Sequence, residues 1–236
     1  ISLLRQTLNL TEAAVEAVDE AIRTAERAGA RLQVSHITPR GGRADTERAI
    51  EHVDAARAKG QDVEFDMHTR FFGTTYLKVI LPPWAMEGEV DAIARRLSDP
   101  GERERMSSYR SLISALGDWD RVVLLDNPAL PKYSRRSIGE IARERGQEPF
   151  DAACAILLAE VEQIHRPMVI LHSYSEELLS LTYQHPICGV GSDATALAPD
   201  GPLAGSTFHG AYTWASWFYR RMVRETGTFS PEQGIA

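Results

Sequence analysis

Three residues stand where the chain turns out of a β-rich run. His36 follows Arg31-Leu32-Gln33-Val34-Ser35, His68 follows Asp62-Val63-Glu64-Phe65-Asp66-Met67, and Asp193 follows Ile187-Cys188-Gly189-Val190-Gly191-Ser192. Neutral imidazole nitrogen is an ordinary zinc ligand, so two imidazoles delivered by neighbouring strand ends could meet at one divalent metal. A carboxylate beside them could ligate that ion weakly and also move protons as general base and acid. Each residue also has a plainer reading. A lone strand-end histidine commonly makes a loop hydrogen bond, and Gly-Ser-Asp is a common turn. By pattern alone both readings stand; what favours a metal site is the occurrence of all three at successive strand ends.

The elements that must position these residues read as repeated βα units. Residues 12–28 carry Ala, Val and Ile at helical spacing, with Thr11 as N-cap and Gly29 as stop. The short strand ending at His36 follows, then the loop Thr38-Pro39-Arg40-Gly41-Gly42, a second amphipathic helix over 45–59, and the strand over 62–68. Strand, helix and strand with short punctuation predict parallel pairing. Leu81-Pro82-Pro83-Trp84 breaks the next segment, and such a segment is no central strand. Residues 88–116 read as helix interrupted at Ser98-Asp99-Pro100-Gly101. A strand over 121–125, helices over 138–145 and 149–163, a strand over 167–171, a helix over 175–184 and a helix over about 210–225 complete the pattern. Near the end, Ser230-Pro231-Glu232-Gln233 has the form of a capping box. No repeat or linker interrupts residues 1–236, which read as a single domain. The choice of architecture is a (β/α)8 barrel or an open doubly wound sheet. The glycines of 29–42 lack the spacing of a phosphate cradle, which favours the barrel.

Composition narrows the class. The 236 residues are 43% hydrophobic and 25% charged, the profile of a globular domain with a real core. A net charge of −7 argues against nucleic acid as a partner, which wants a clustered basic face. No apolar run approaches the roughly 20 residues of a membrane span. Cys154 and Cys188 are too few for a disulfide framework and sit in apolar surroundings. The expectation is a cytoplasmic enzyme or binding domain.

A family resemblance sharpens this. Val34-Ser35-His36, Asp66-Met67-His68, Leu81-Pro82-Pro83-Trp84-Ala85-Met86-Glu87-Gly88 and Val190-Gly191-Ser192-Asp193 stand in the order seen in N-acyl-D-amino-acid deacylases (D-aminoacylases) of the amidohydrolase superfamily. Ile138-Gly139-Glu140-Ile141-Ala142, with Gly146 and Pro149 after it, resembles the segment before the seventh strand of that family. The resemblance implies an α/β fold of the (β/α)8 TIM-barrel type and a zinc-dependent hydrolase of C–N bonds other than peptide bonds. It implies one or two zinc ions, with His36 and His68 as ligands of the more tightly held one. Asp193 resembles the catalytic aspartate, both metal ligand and proton carrier. Arg70, two residues beyond His68, would project on the same side and resembles a carboxylate-binding position. His172 and His209 are further candidates for substrate contact, each with a loop role as its alternative. The substrate implied is a small N-acyl amino acid or related amide.

The resemblance also implies absences. The family's paired histidines of the first strand and its bridging ligand would lie upstream of Ile1, and its β-sandwich is missing, so the chain is expected to be roughly the second half of a barrel. Where deacylases often carry Pro-Arg after the Gly-Ser-Asp segment, this chain reads Gly201-Pro202-Leu203. That departure keeps a cyclic amidohydrolase of the dihydroorotase or hydantoinase type as the alternative. A third reading is an inactive partial barrel that binds a partner or forms a homo-oligomer to cover its strand edges.

Overall fold

The structure, a computed structural model, describes residues 12–37, 42–193, 200–201 and 212–235. In chain order its helices and strands are α1 (Glu12–Ala28), β1 (Leu32–Val34), α2 (Arg43–Ala58), β2 (Val63–His68), β3 (Gly73–Tyr76), α3 (Val90–Ser98), α4 (Pro100–Ser107), β4 (Val122–Leu124), α5 (Ile138–Arg145), α6 (Pro149–Ala159), β5 (Met168–Leu171), α7 (Glu176–Tyr183), β6 (Cys188–Gly191) and α8 (Trp214–Phe218). The chain divides into two compact units, one of Ile1–Phe71 with Tyr174–Ala236 and one of Phe72–Ser173.

The first unit is built on a parallel sheet of order β1-β2-β6, with Val34 opposite Phe65 and His68 opposite Gly191. Alternation along β2 sends Val63, Phe65 and Met67 to one face, all fully buried, and Glu64, Asp66 and His68 to the other. The apolar face packs on α1 and α2 through Val18, Ile22, Ala49 and Val53, and on a second cluster of Leu179, Tyr183, Phe218 and Met222. The buried positions of α1 (Val15, Val18, Ile22 and Ala25) recur at three- and four-residue spacing, which is why this segment is a helix with one buried stripe. Gly29, at φ 59°, ends it in the left-handed conformation that glycine adopts without steric cost.

The second unit departs from the parallel expectation. β3, β5 and β4 form an antiparallel sheet with β5 at its centre. Gly73-Thr74-Thr75-Tyr76, which the sequence pattern does not pick out, is an edge strand of this sheet. The Pro-Pro segment after it forms a single 3₁₀ turn, Pro83–Met86, with Leu81 and Ala85 buried and the Arg105 guanidinium 4.0 Å from the Trp84 ring centre. The α5 capping box is complete: Ser137 Oγ accepts from Glu140 N at 3.0 Å, and Ser137 N donates to the Glu140 carboxylate at 3.0 Å. Gly139 is required by packing, since a Cβ there would fall 2.2 Å from Asp120 Oδ1, and that carboxylate also holds Arg143 through both oxygens.

Two helix boundaries also differ from the sequence reading. α6 stops at Ala159 and continues as a 3₁₀ turn, Val161–Gln163. The last helix is α-helical only over Trp214–Phe218 and becomes a π-helix over Tyr219–Glu225. Ser230 and Gln233 do exchange their capping hydrogen bonds, around a turn. No described helix is long and apolar enough to cross a membrane.

Candidate active site at the ends of three parallel strands

Because β1, β2 and β6 are parallel and adjacent, their C-terminal ends share one edge of the sheet. His36 and Asp193 lie two residues past β1 and β6, and His68 ends β2 between them. The imidazoles of His36 and His68 meet edge to face, with ring centres 5.1 Å apart. His36 Nε2 stands 3.7 Å from Asp193 Oδ1. Arg70 closes the group: its Nη2 donates to the Asp193 carbonyl at 3.3 Å and lies 3.8 Å from Oδ2. The structure therefore brings His36, His68, Arg70 and Asp193 together.

Local backbone makes this possible. His36 and Asp193 both hold the left-handed conformation, at φ 59° and 46°; among the described residues the only other non-glycine with positive φ is Arg135, in an exposed turn. Such a conformation is sparsely populated by residues with a Cβ, and residues held in it gather at functional sites. Here it turns the chain sharply out of each outer strand, so that both side chains point back across the end of β2.

Burial is graded across the group. His68 and Thr69 are almost wholly buried, the Arg70 side chain is 9% exposed, that of His36 17% and that of Asp193 42%. Burial lowers the Arg70 guanidinium from its ordinary value, and the Asp193 charge works against that shift. Tyr183 Oη donates to the His68 carbonyl at 2.6 Å, which anchors the end of β2 from α7, and burial pushes that phenol up. The Tyr174 ring packs edge-on to His68 at 4.9 Å. Arg70 N donates to His68 Nδ1 at 3.2 Å, so the neutral ring carries its proton on Nε2 in this arrangement.

The donor set suits a zinc-like cation in kind. Two ligands on one tetrahedral zinc stand about 3.3 Å apart, given bonds of about 2.0–2.1 Å. The His36–Asp193 separation is a few tenths of an ångström longer. Yet among the described residues no group of three or more His, Cys, Asp or Glu is drawn closely enough together to hold a metal ion. Ligation through His68 Nε2 would also shift its proton to Nδ1 and break the contact from Arg70 N. The residues present fit part of a metal site, with further donors needed to close it.

The remaining sequence candidates fall elsewhere. His172 lies in the second unit, exposed, with its ring 6.1 Å from that of Phe72. His209 lies outside the described residues. His52 and His185 make carboxylate contacts apart from this group, His52 with Asp19 at 2.5 Å and His185 with Asp54 at 3.2 Å. Cys154 and Cys188 are free thiols, both pushed up to about 12 by burial, and neither is poised as a nucleophile. Sequence reasoning missed Asp66, Tyr174 and Tyr183. For Asp66 a signal existed: it stands two residues before His68, hence on the same face of β2.

No protein-family model matches the sequence, and neither does any curated protein. Solved structures do match. An N-acyl-D-glutamate deacylase from Bordetella bronchiseptica, complexed with zinc and a phosphonate mimic of the tetrahedral intermediate, aligns with a TM-score of 0.59 at 19% identity, over 96% of this chain and 38% of that one. A D-aminoacylase described as defining a subset of amidohydrolases aligns with a TM-score of 0.61 at 19% identity, again over 96% and 38%. The α/β fold is similar to part of the fold of these D-aminoacylase-type structures. A further D-aminoacylase structure, described by its binuclear metal centre, aligns at 0.59 and 18% over the same shares. The chain spans about two-fifths of the length of these D-aminoacylase-type structures.

Proposed function

We propose that this chain supplies part of the active site of a metal-dependent amidohydrolase that releases amino acids from N-acyl-D-amino acids. The observation that carries the reading is the meeting of two imidazoles, a carboxylate and a buried guanidinium at three adjacent parallel strand ends. Such strand ends are where barrel enzymes place reacting groups, and the chain is read as the second half of a (β/α)8 barrel.

In this reading His36 and His68 hold the divalent ion, zinc by donor type, with Asp193 beside it and further ligands from outside the described residues. The ion, when bound, supplies Lewis acidity and an ionised water near neutral pH. The chain's own residues do the rest. Asp193, the most exposed of the group, takes a proton and later returns it to the departing amine, which leaves poorly without one. Arg70, nearly buried and fixed on the Asp193 carbonyl, presents a guanidinium charge toward the substrate carboxylate. Tyr174 and Tyr183 hold His68 from two sides. His172 and His209 remain proposed substrate contacts, and the setting is proposed to be cytoplasmic.

The test is amine release from N-acetyl-D-amino acids with zinc in excess, run beside the L-enantiomers and beside hydantoins. Preference for the D-amides is the expected result. Ring opening of hydantoins in their place would overturn the reading in favour of a cyclic amidohydrolase. A second reading, a partial site without turnover, is favoured by the lack of a three-ligand cluster among the described residues. It predicts elemental zinc well below one per chain, and one tightly held zinc per chain would count against it.

A further inference from the structure

The pairing of β1 with β2 ends at Val34 and Phe65, yet the next residues of the two strands remain tied together. The tie is the Asp66 side chain. Its Oδ1 accepts from Ser35 Oγ at 2.9 Å and from the His36 backbone N–H at 3.0 Å, and its Oδ2 accepts from Gln33 Nε2 at 3.2 Å. The Asp66 carbonyl accepts from Ile37 N at 3.0 Å. One residue thus receives the polar groups of four residues spanning the whole turn. At the centre of that turn is His36, in the left-handed conformation that a residue with a Cβ adopts only at a steric cost.

We infer that Asp66 is the positioning residue of His36: its carboxylate takes the place of the missing strand partner and holds the left-handed turn that aims the His36 imidazole at His68 and Asp193. The inference rests on the proposed metal-dependent site, since it is there that the aim of an imidazole matters. Asp66 itself touches no reacting atom in this account. What it supplies is a pair of acceptor oxygens at a fixed distance from β2, because it sits one residue beyond the last register pair and on the His68 face. Acceptors in that place, and not negative charge as such, are what the geometry requires. Partners that orient a metal-binding histidine are worth about 10–100-fold in metal affinity when removed.

That distinction defines the experiment. Full-length chain, isotopically labelled, is prepared as wild type, Asp66→Asn, Asp66→Glu and Asp66→Ala. Two quantities are read by NMR: the solvent exchange rate of the His36 amide, and the zinc concentration that half-saturates the shift of the His36 ring nitrogens. Asparagine keeps an acceptor oxygen in register and loses the charge; glutamate keeps the charge and displaces the oxygens by a methylene. Positioning predicts that Asn stays within about threefold of wild type on both readouts. Glu and Ala are expected to raise amide exchange and the zinc requirement at least tenfold. The reverse ranking, with Glu near wild type and Asn near Ala, would overturn the inference, as would an unchanged His36 amide in Ala. Should Ala fail to fold, the Asn–Glu comparison decides alone. If wild type shows no zinc-dependent shift at His36, the metal reading fails, while the amide-exchange ranking still judges the role of Asp66 in the turn.

Discussion

Buried polar groups do different work in the two units. In Phe72–Ser173 they close the backbone: Ser137 caps α5, Asn127 Oδ1 accepts from Leu130 N at 2.9 Å, and Ser111 and Ser114 exchange hydrogen bonds around one turn. Removing such a group leaves an unfilled backbone partner and little else. In the unit that carries the strand-end site, His68, Thr69 and Arg70 are buried in succession, and His36 and Asp193 hold strained backbone beside them. A ring nitrogen and a guanidinium satisfy no helix end there. The first unit also has such backbone bonds, from Thr46 and Thr182, but it alone gathers imidazole, guanidinium and carboxylate at one strand-end group.

The largest expected effect separates these uses directly. Asp193→Asn should lower the proposed amine-releasing activity by about 10²–10⁴-fold, the usual worth of a positioned general acid–base. Thermal stability should barely change, because Asn tolerates the left-handed backbone nearly as well as Asp and the side chain is 42% exposed. Rate measurements beside a melting curve check both halves, and a melting point that falls with the rate would show that Asp193 is structural.

The reciprocal change lies in the other unit. Leu124, fully buried on β4, belongs to the apolar core of Phe72–Ser173. Leu124→Ala should destabilise by about 2–5 kcal/mol through lost burial and a residual cavity. The edge-to-face contact of His36 with His68, read from ring-proton shifts, should persist. Denaturant unfolding checks the first expectation. Disruption of the histidine contact by a change in the other unit would break the contrast between the units.

A smaller effect tests how the site is fastened. Tyr183→Phe removes the hydroxyl that donates to the His68 carbonyl and leaves that buried acceptor unfilled, at a cost of about 1–3 kcal/mol. The phenyl ring keeps its packing against Phe218, 5.2 Å away between centres, so the loss isolates the hydrogen bond. Denaturant unfolding of the variant beside wild type checks the loss, and an unchanged stability would show that the hydroxyl does not fasten the strand end.

How much of this was legible in the sequence follows from range. α5 is read to the residue, because Ser137, Glu140 and Gly146 carry its start and stop locally. The strand ends at 68 and 171 are equally plain, each closing an apolar or alternating run. Strand direction in the second unit was not legible, since pairing of β5 with β3 and β4 is decided by partners far away in sequence. The site divides the same way. Types and spacing pick out His36, His68, Arg70 and Asp193, whereas Asp66 gains its meaning only when β1 is laid beside β2. Some motif residues that resemble a family signature turn out to be packing devices as well: Gly139 makes room for Asp120, and Trp84 lies under Arg105.

The smallest expected effect has the opposite sign. At φ 59°, His36 occupies a conformation that glycine adopts freely. Its ring contributes contacts to His68 and a long approach to Asp193, neither of them a buried hydrogen bond. His36→Gly should therefore leave stability unchanged or raise it by up to about 1 kcal/mol, the relieved strain being offset by the greater freedom of glycine in the unfolded chain. The Asp66 acceptors remain filled, because they bind the backbone N–H of residue 36 and not its ring. The same substitution should abolish the zinc response proposed for this site. A variant that is as stable as the parent, or more so, and that binds no metal would mean the turn is held against local preference for the sake of the imidazole. A clear loss of stability would mean that the ring is a packing element, and the contrast between the two units would narrow accordingly.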